Sequence, residues 1–212
     1  MCKTGNFIKA AIFSFALLTG GGLYAQVVSN PEIEYLETLQ AMSLEENILS
    51  PSVADKLHDR VKGMMHAEAV KLARQGYKVE TMRKGEVVVA TIQTDNLFLP
   101  NDTLLIQSEA DRLLTPFLKF ITNKGKFKIL LAVHSDNTGS KDYLIDLTTR
   151  RIESLYAWFD AMNSEGAKYV FGYPMGDAQP IKKQDTRQNR AANRRLEIYI
   201  VPEAKTLEAM KK

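Results

Sequence analysis

Ala132-Val133-His134-Ser135-Asp136-Asn137-Thr138-Gly139-Ser140 follows directly on the apolar run that begins at Lys128. A run of this length, bounded by turn residues, predicts a buried strand. That strand delivers His134, Ser135 and Asp136 to its C-terminal end, where open α/β layers bind ligands. The residues after Ser140 predict a long helix, from about Lys141 to Met162. On a helical wheel Leu144, Thr148, Leu155 and Met162 share one stripe, and Arg151 falls inside it, away from the polar face that holds Arg150. A guanidinium cannot shed its charge, and burying it unpaired is costly. The stripe therefore predicts that either Asp136 or a ligand carboxylate meets Arg151.

The same residues carry a family resemblance. Ser135-Asp136-Asn137-Thr138-Gly139-Ser140 with Leu147-Thr148-Thr149-Arg150-Arg151 resembles the T-D-x-x-G-s signature and following L-S-x-x-R-A step of the OmpA-like peptidoglycan-binding domain. A second block stands downstream in the right order. Gln184-Asp185-Thr186, then Arg190-Ala191-Ala192-Asn193-Arg194-Arg195-Leu196-Glu197-Ile198, is similar to N-D-T-x-x-G-R-x-x-N-R-R-V-E-I. The resemblance spans residues 86–202. It implies an α/β sandwich, βαβαβ(α)β with a mixed sheet and helices on one side, preceded here by helices and a hairpin strand.

For function, the resemblance implies non-covalent binding of peptidoglycan, with the diaminopimelate of the stem peptide held as a zwitterion. Carried over residue by residue, Asp136 takes the ammonium and Arg151 the carboxylate, with Ser135, Asn137, Gly139 and Thr148 completing the site. No cofactor or metal is implied, and no bond is broken. The sequence departs from the pattern at two positions near the clamp: Leu144 replaces the family's asparagine, and Ile152 replaces its small residue after the arginine. The loop Gly172 to Pro180 also departs, with Pro174 for a glycine and Asp177 for a glutamate.

Outward from this centre, Tyr77 to Met82 and Glu86 to Ile92 predict a hairpin around Arg83-Lys84-Gly85. A helix from about Gln107 to Thr122 contains Pro116, which predicts a kink or a split. Upstream, Asn30-Pro31 reads as a helix start, and a longer helix is expected over Val53 to Gln75 with Ser52 as its cap and Gly76 as its stop. His58 and His66 on that helix lie about 80° apart on the wheel, which opposes a shared metal and predicts solvated side chains. The tail from Glu203 to Lys212 is charged, predicting a frayed helix or disorder.

Residues 1–25 read as a secretory leader. Lys3 and Lys9 flank a polar start, Ile8 to Leu18 is nearly all apolar, and Ala25 offers a small residue at the cut. The run breaks at Gly20-Gly21-Gly22, short of the roughly 20 residues of a spanning helix. The expected organisation is thus a leader (1–25), a helical segment with a hairpin strand (26–85), the OmpA-like domain (86–202) and a tail (203–212). Cys2 is the sole cysteine and lies in the leader, so a cleaved chain forms no disulfide. The expected location is the periplasm, associated with the cell wall and outer membrane.

The formal charge of +3 falls to +1 once Lys3 and Lys9 are removed. That balance opposes nucleic acid as a partner, despite the cluster Arg187, Arg190, Arg194 and Arg195. His134-Ser135-Asp136 contains the residue types of a hydrolytic triad, but neighbours on a strand point to opposite faces, which opposes an enzyme. A second reading is an envelope scaffold with the same fold and little wall affinity, which engages an outer-membrane or periplasmic protein through residues 26–76.

Overall fold

The computed structural model describes residues 30–211; the proposed leader lies outside them. Helix α1 (Pro31–Ala41) starts on Asn30, whose side chain accepts from the Glu32 amide, with Pro31 in the first turn. A capping box between Ser43 and Glu46 starts α2 (Leu44–Leu49). Helix α3 (His58–Arg74) follows a short 3-10 turn, so Ser52 is not its cap. Gly76 ends it with φ +93°, a conformation that disfavours side chains.

The hairpin forms as expected, β1 (Lys78–Met82) pairing antiparallel with β2 (Val87–Gln93). Then come α4 (Gln107–Thr122), β3 (Phe127–His134), α5 (Lys141–Ala167), β4 (Val170–Gly176), α6 (Arg187–Asn193), β5 (Arg195–Pro202) and α7 (Ala204–Ala209). The sheet order is β1-β2-β5-β3-β4, antiparallel except for the parallel β3–β4 pair. This is the mixed α/β sandwich read from the sequence.

Strand alternation divides the sheet's two faces. Val88, Ala90, Ile92, Ile129, Leu131, Val133, Leu196, Ile198 and Ile200 face the main core beneath α3, α4 and α5. The opposite face is covered by the helical segment that precedes the domain, whose docking the sequence leaves open. Leu39 of α1 and Ile48 of α2 pack there on Leu130, Ala132, Phe171, Tyr199 and Val201. Arg83 ties this arm to the hairpin turn by donating to the Ile48 and Pro51 carbonyls at 2.8 and 2.9 Å.

Packing refines several local expectations. Helix α4 passes through Pro116 as one element, and α5 breaks at Asn163 (φ −161°) before resuming to Ala167. Met162, placed in the buried stripe, is 48 % exposed because it sits at that break. His58 is not simply solvated: its Nδ1 lies 2.8 Å from Glu86 Oε1. The charged tail is ordered as α7, since Leu207 is buried and the Glu203 amide and Thr206 hydroxyl both donate to the Lys126 carbonyl. Among the described residues, no helix is long and apolar enough to cross a membrane.

Candidate functional site

The C-terminal end of β3 meets four other segments: the end of β4, the turn after β2, the first half of α5, and the α6–β5 junction. The Ser135 amide donates to the Gly176 carbonyl at 2.7 Å, which fixes the start of the loop to the end of β4. Asp136 is 5 % exposed. Its Oδ1 accepts from the Thr138 amide at 2.8 Å, and its Oδ2 accepts from Arg194 Nη1 at 2.6 Å. Burial opposes its ionisation, but the bonds from Arg194 and Thr138 outweigh it and hold the carboxyl below the usual range.

Arg194 is also held from its other side. Its Nε and Nη2 donate to the two Asp95 oxygens at 2.9 and 2.6 Å. This bidentate fork, with the third contact to Asp136, raises the already high Arg194 pKa. Neither Asp95 nor Arg194 stood among the site residues expected from the sequence. The pairs join residues 99 and 58 positions apart, and only the sheet register brings them together.

Arg151 is 4 % exposed, as its place in the stripe required. Asp136 does not meet it, because that carboxylate is engaged by Arg194. Instead Arg151 Nε donates to the Asp102 carbonyl at 3.0 Å, and the guanidinium lies 4.8 Å from the centre of the Phe98 ring. Among the described residues it forms no ion pair, and its two terminal nitrogens donate no hydrogen bond. Desolvation lowers its pKa; the fields of Asp95, Tyr143 and Asp102 partly offset this.

The remaining expected residues divide. Asn137 and Gly139 lie on the exposed loop. The Asn137 amide is already taken by Gln184 Oε1 at 2.6 Å, so it is not free for a ligand. Gly139 has φ +132°, and a Cβ there would come within 2.8 Å of the Tyr143 ring. Ser135 is buried, with its amide committed to β4. Thr148 is fully buried, and its hydroxyl donates to the Leu144 carbonyl at 2.9 Å and accepts from the Gly176 amide at 3.3 Å. It braces α5 against β4.

The departures from the motif find partners. Leu144 is 1 % exposed beneath the loop, near Gly139. The γ2 methyl of Ile152 lies where a Cβ on Gly172 would stand, 2.1 Å away, so the larger residue on α5 fits a bare backbone on β4. Asp177 receives Lys141 Nζ at 2.6 and 2.5 Å. Asn193 is fully buried; its Oδ1 accepts from the Ile181 and Lys182 amides and its Nδ2 donates to the Lys182 carbonyl, all at 2.9 Å. The second block of the motif thus orders the loop before β5.

Among the described residues, His134, Ser135 and Asp136 share no side-chain hydrogen bond. His134 is buried on the arm-covered face, with Nε2 3.3 Å from Glu197 Oε2. Glu197 also accepts from Arg195 at 2.7 Å and Tyr199 at 2.6 Å. Burial raises its pKa, but these donors bring it down to about 2.

No family model and no curated protein matches the sequence. Solved structures do. A MotB-like protein from Desulfovibrio vulgaris aligns with TM-score 0.57 at 18 % identity, covering 70 % of this chain and 97 % of that one. The Helicobacter pylori MotB periplasmic domain gives 0.52 at 16 % identity, over 64 % of this chain and 87 % of its own. This chain has the OmpA-like fold of MotB periplasmic domains. A further MotB periplasmic structure, with TM-score 0.52 at 14 % identity, covers 91 % of this chain and 95 % of its own.

Proposed function

We propose that this protein binds peptidoglycan non-covalently in the periplasm and tethers envelope components to the wall. The ligand group is the zwitterionic end of a diaminopimelate stem peptide. One observation carries this reading: Arg151 is nearly fully buried, cannot deprotonate, and has no carboxylate partner among the described residues. Desolvating such a charge costs several kcal/mol unless an anion meets it, on the order of the penalty for breaking a buried pair. Its unused terminal nitrogens can donate side by side to the two oxygens of a ligand carboxylate. Asp136, at the same end of the sheet, then receives the ammonium on lone pairs that Arg194 and Thr138 leave free. The motif resemblance supports the identity of the ligand. The leader expected at residues 1–25 and the periplasmic location of the MotB domains sharing this fold support the compartment.

Sedimentation with purified sacculi tests the reading. The unmutated protein co-sediments, whereas Asp136→Ala and Arg151→Ala, with folding checked by circular dichroism, remain in the supernatant. Equal sedimentation of all three proteins would show that the site is misassigned.

A further inference from the structure

We infer that Asp95 and Arg194 are positioning residues that make the site select a zwitterion over a simple carboxylate. The inference rests on Asp136 being the ammonium acceptor, and it concerns two residues that do not themselves touch the ligand.

The argument begins with how Arg194 is shared. Two of its donors, Nε and Nη2, are committed to Asp95 in a bidentate fork, and only Nη1 reaches Asp136. A guanidinium is planar, so the fork to Asp95 fixes the plane and allows one contact on the Asp136 side. Asp136 therefore receives one hydrogen bond on each oxygen and keeps acceptor capacity on both. The pairing is built into the fold. The amide of Thr94, a fully buried residue beside Asp95, donates to the Arg194 carbonyl at 3.1 Å and locks the two segments together.

Charge gives the same answer. Arg194 is neutralised by Asp95, so Asp136 retains a net negative charge for an ammonium while Arg151 retains a positive charge for a carboxylate. Removing the Asp95 charge releases the fork. Arg194 can then turn both donors onto Asp136, and the site becomes net positive around Arg151. A ligand with only a carboxylate is unaffected or favoured, whereas one that also carries an ammonium loses its acceptor. The Asp95 side chain is 50 % exposed, against 7 % for Asp136, so its charge can be removed with little disturbance to packing.

The test is calorimetric titration of the full chain with two probes: the tripeptide Ala-Glu-diaminopimelate, and the same peptide with the terminal ammonium of the diaminopimelate replaced by hydrogen. Asp95→Asn should lower affinity for the first about tenfold, the loss of one charge-assisted contact, and leave the second unchanged or raised. Asp95→Asn with Arg194→Gln should recover most of the loss, because the competing guanidinium is gone. In parallel, the Asp136 carboxyl carbon is titrated by NMR without ligand; in Asp95→Asn it should ionise at lower pH than in the unmutated chain. An unchanged preference between the two peptides, or an unchanged Asp136 titration, overturns the role of Asp95 and Arg194. Failure of the unmutated chain to bind either peptide instead overturns the ligand reading, while the Asp136 titration still reports whether Asp95 restrains Arg194.

Discussion

Arg151 stands over Phe98, guanidinium to ring centre 4.8 Å, at the point where the loop after β2 crosses α5. The aromatic face supplies part of the counter-charge that no carboxylate provides. Phe98→Leu should therefore lower stability by about 1 to 2 kcal/mol, from lost cation–π attraction and packing together. Urea denaturation measures it; an unaltered midpoint would mean that the ring contributes nothing to holding the arginine.

Gly172 and Ile152 form a size-matched pair. Gly172→Ala puts a methyl group into the Ile152 side chain and should cost about 1 to 3 kcal/mol. Adding Ile152→Ala should restore at least part of the loss, since it removes the obstruction. A double variant no more stable than Gly172→Ala alone would disprove the steric coupling.

Lys128 is fully buried, and its Nζ lies 3.1 Å from Glu203 Oε1 beneath α1, where Tyr35 also donates to Glu203. Burial lowers the lysine pKa. Lys128→Met leaves a buried carboxylate without its cation and should cost about 3 to 5 kcal/mol. Combining it with Glu203→Gln should return stability to within about 1 kcal/mol of the original, because neither charge then remains. Additive losses in the thermal melts of the three variants would refute this coupling.

Glu197 gives the fold an acid limit. Its folded pKa of about 2 is depressed from about 4.3 in an unfolded chain. A depressed carboxyl contributes stability above the unfolded pKa, and that contribution is lost as pH falls through the window from about 4.3 to 2. Asp136 acts in the same direction. Stability should thus decline across that window, and Glu197→Gln should flatten the decline while costing roughly 2 to 4 kcal/mol at neutral pH, since Arg195 loses its partner. Denaturation midpoints at several pH values check it; a parallel pH profile in the variant would exclude Glu197 as the source.

The strands and α5 were legible because their apolar patterns are local. Arg151 was legible too, since one helical wheel is enough to place an arginine in a buried stripe. Its partner was not. Whether Asp136 turns to Arg151 or to Arg194 depends on where β5 lies in the sheet, and no local period carries that information. Asp95 was invisible for the same reason, sitting in a short turn with nothing to mark it out. The arm over the second face was not legible because the spacing of Ile33, Leu36, Leu39 and Met42 gives a helix with an apolar side but not the surface that side meets. The bonds of the Thr148 hydroxyl to its own helix and to the Gly176 amide are not legible either, because only the fold brings β4 against α5.

The docked tail and the arm together give the molecule a mechanical polarity. Glu32 of α1 meets Tyr169 just before β4, and the Glu203 and Thr206 groups close on Lys126 just before β3. Both ends of the described chain therefore gather at the pole where β3 begins, while Asp136 stands where β3 ends. A pull between a ligand held at one pole and an attachment at the other runs along the strand axis. Such a load strains the ladder between β3 and β5 in shear, sharing the force among many hydrogen bonds at once instead of opening them one by one.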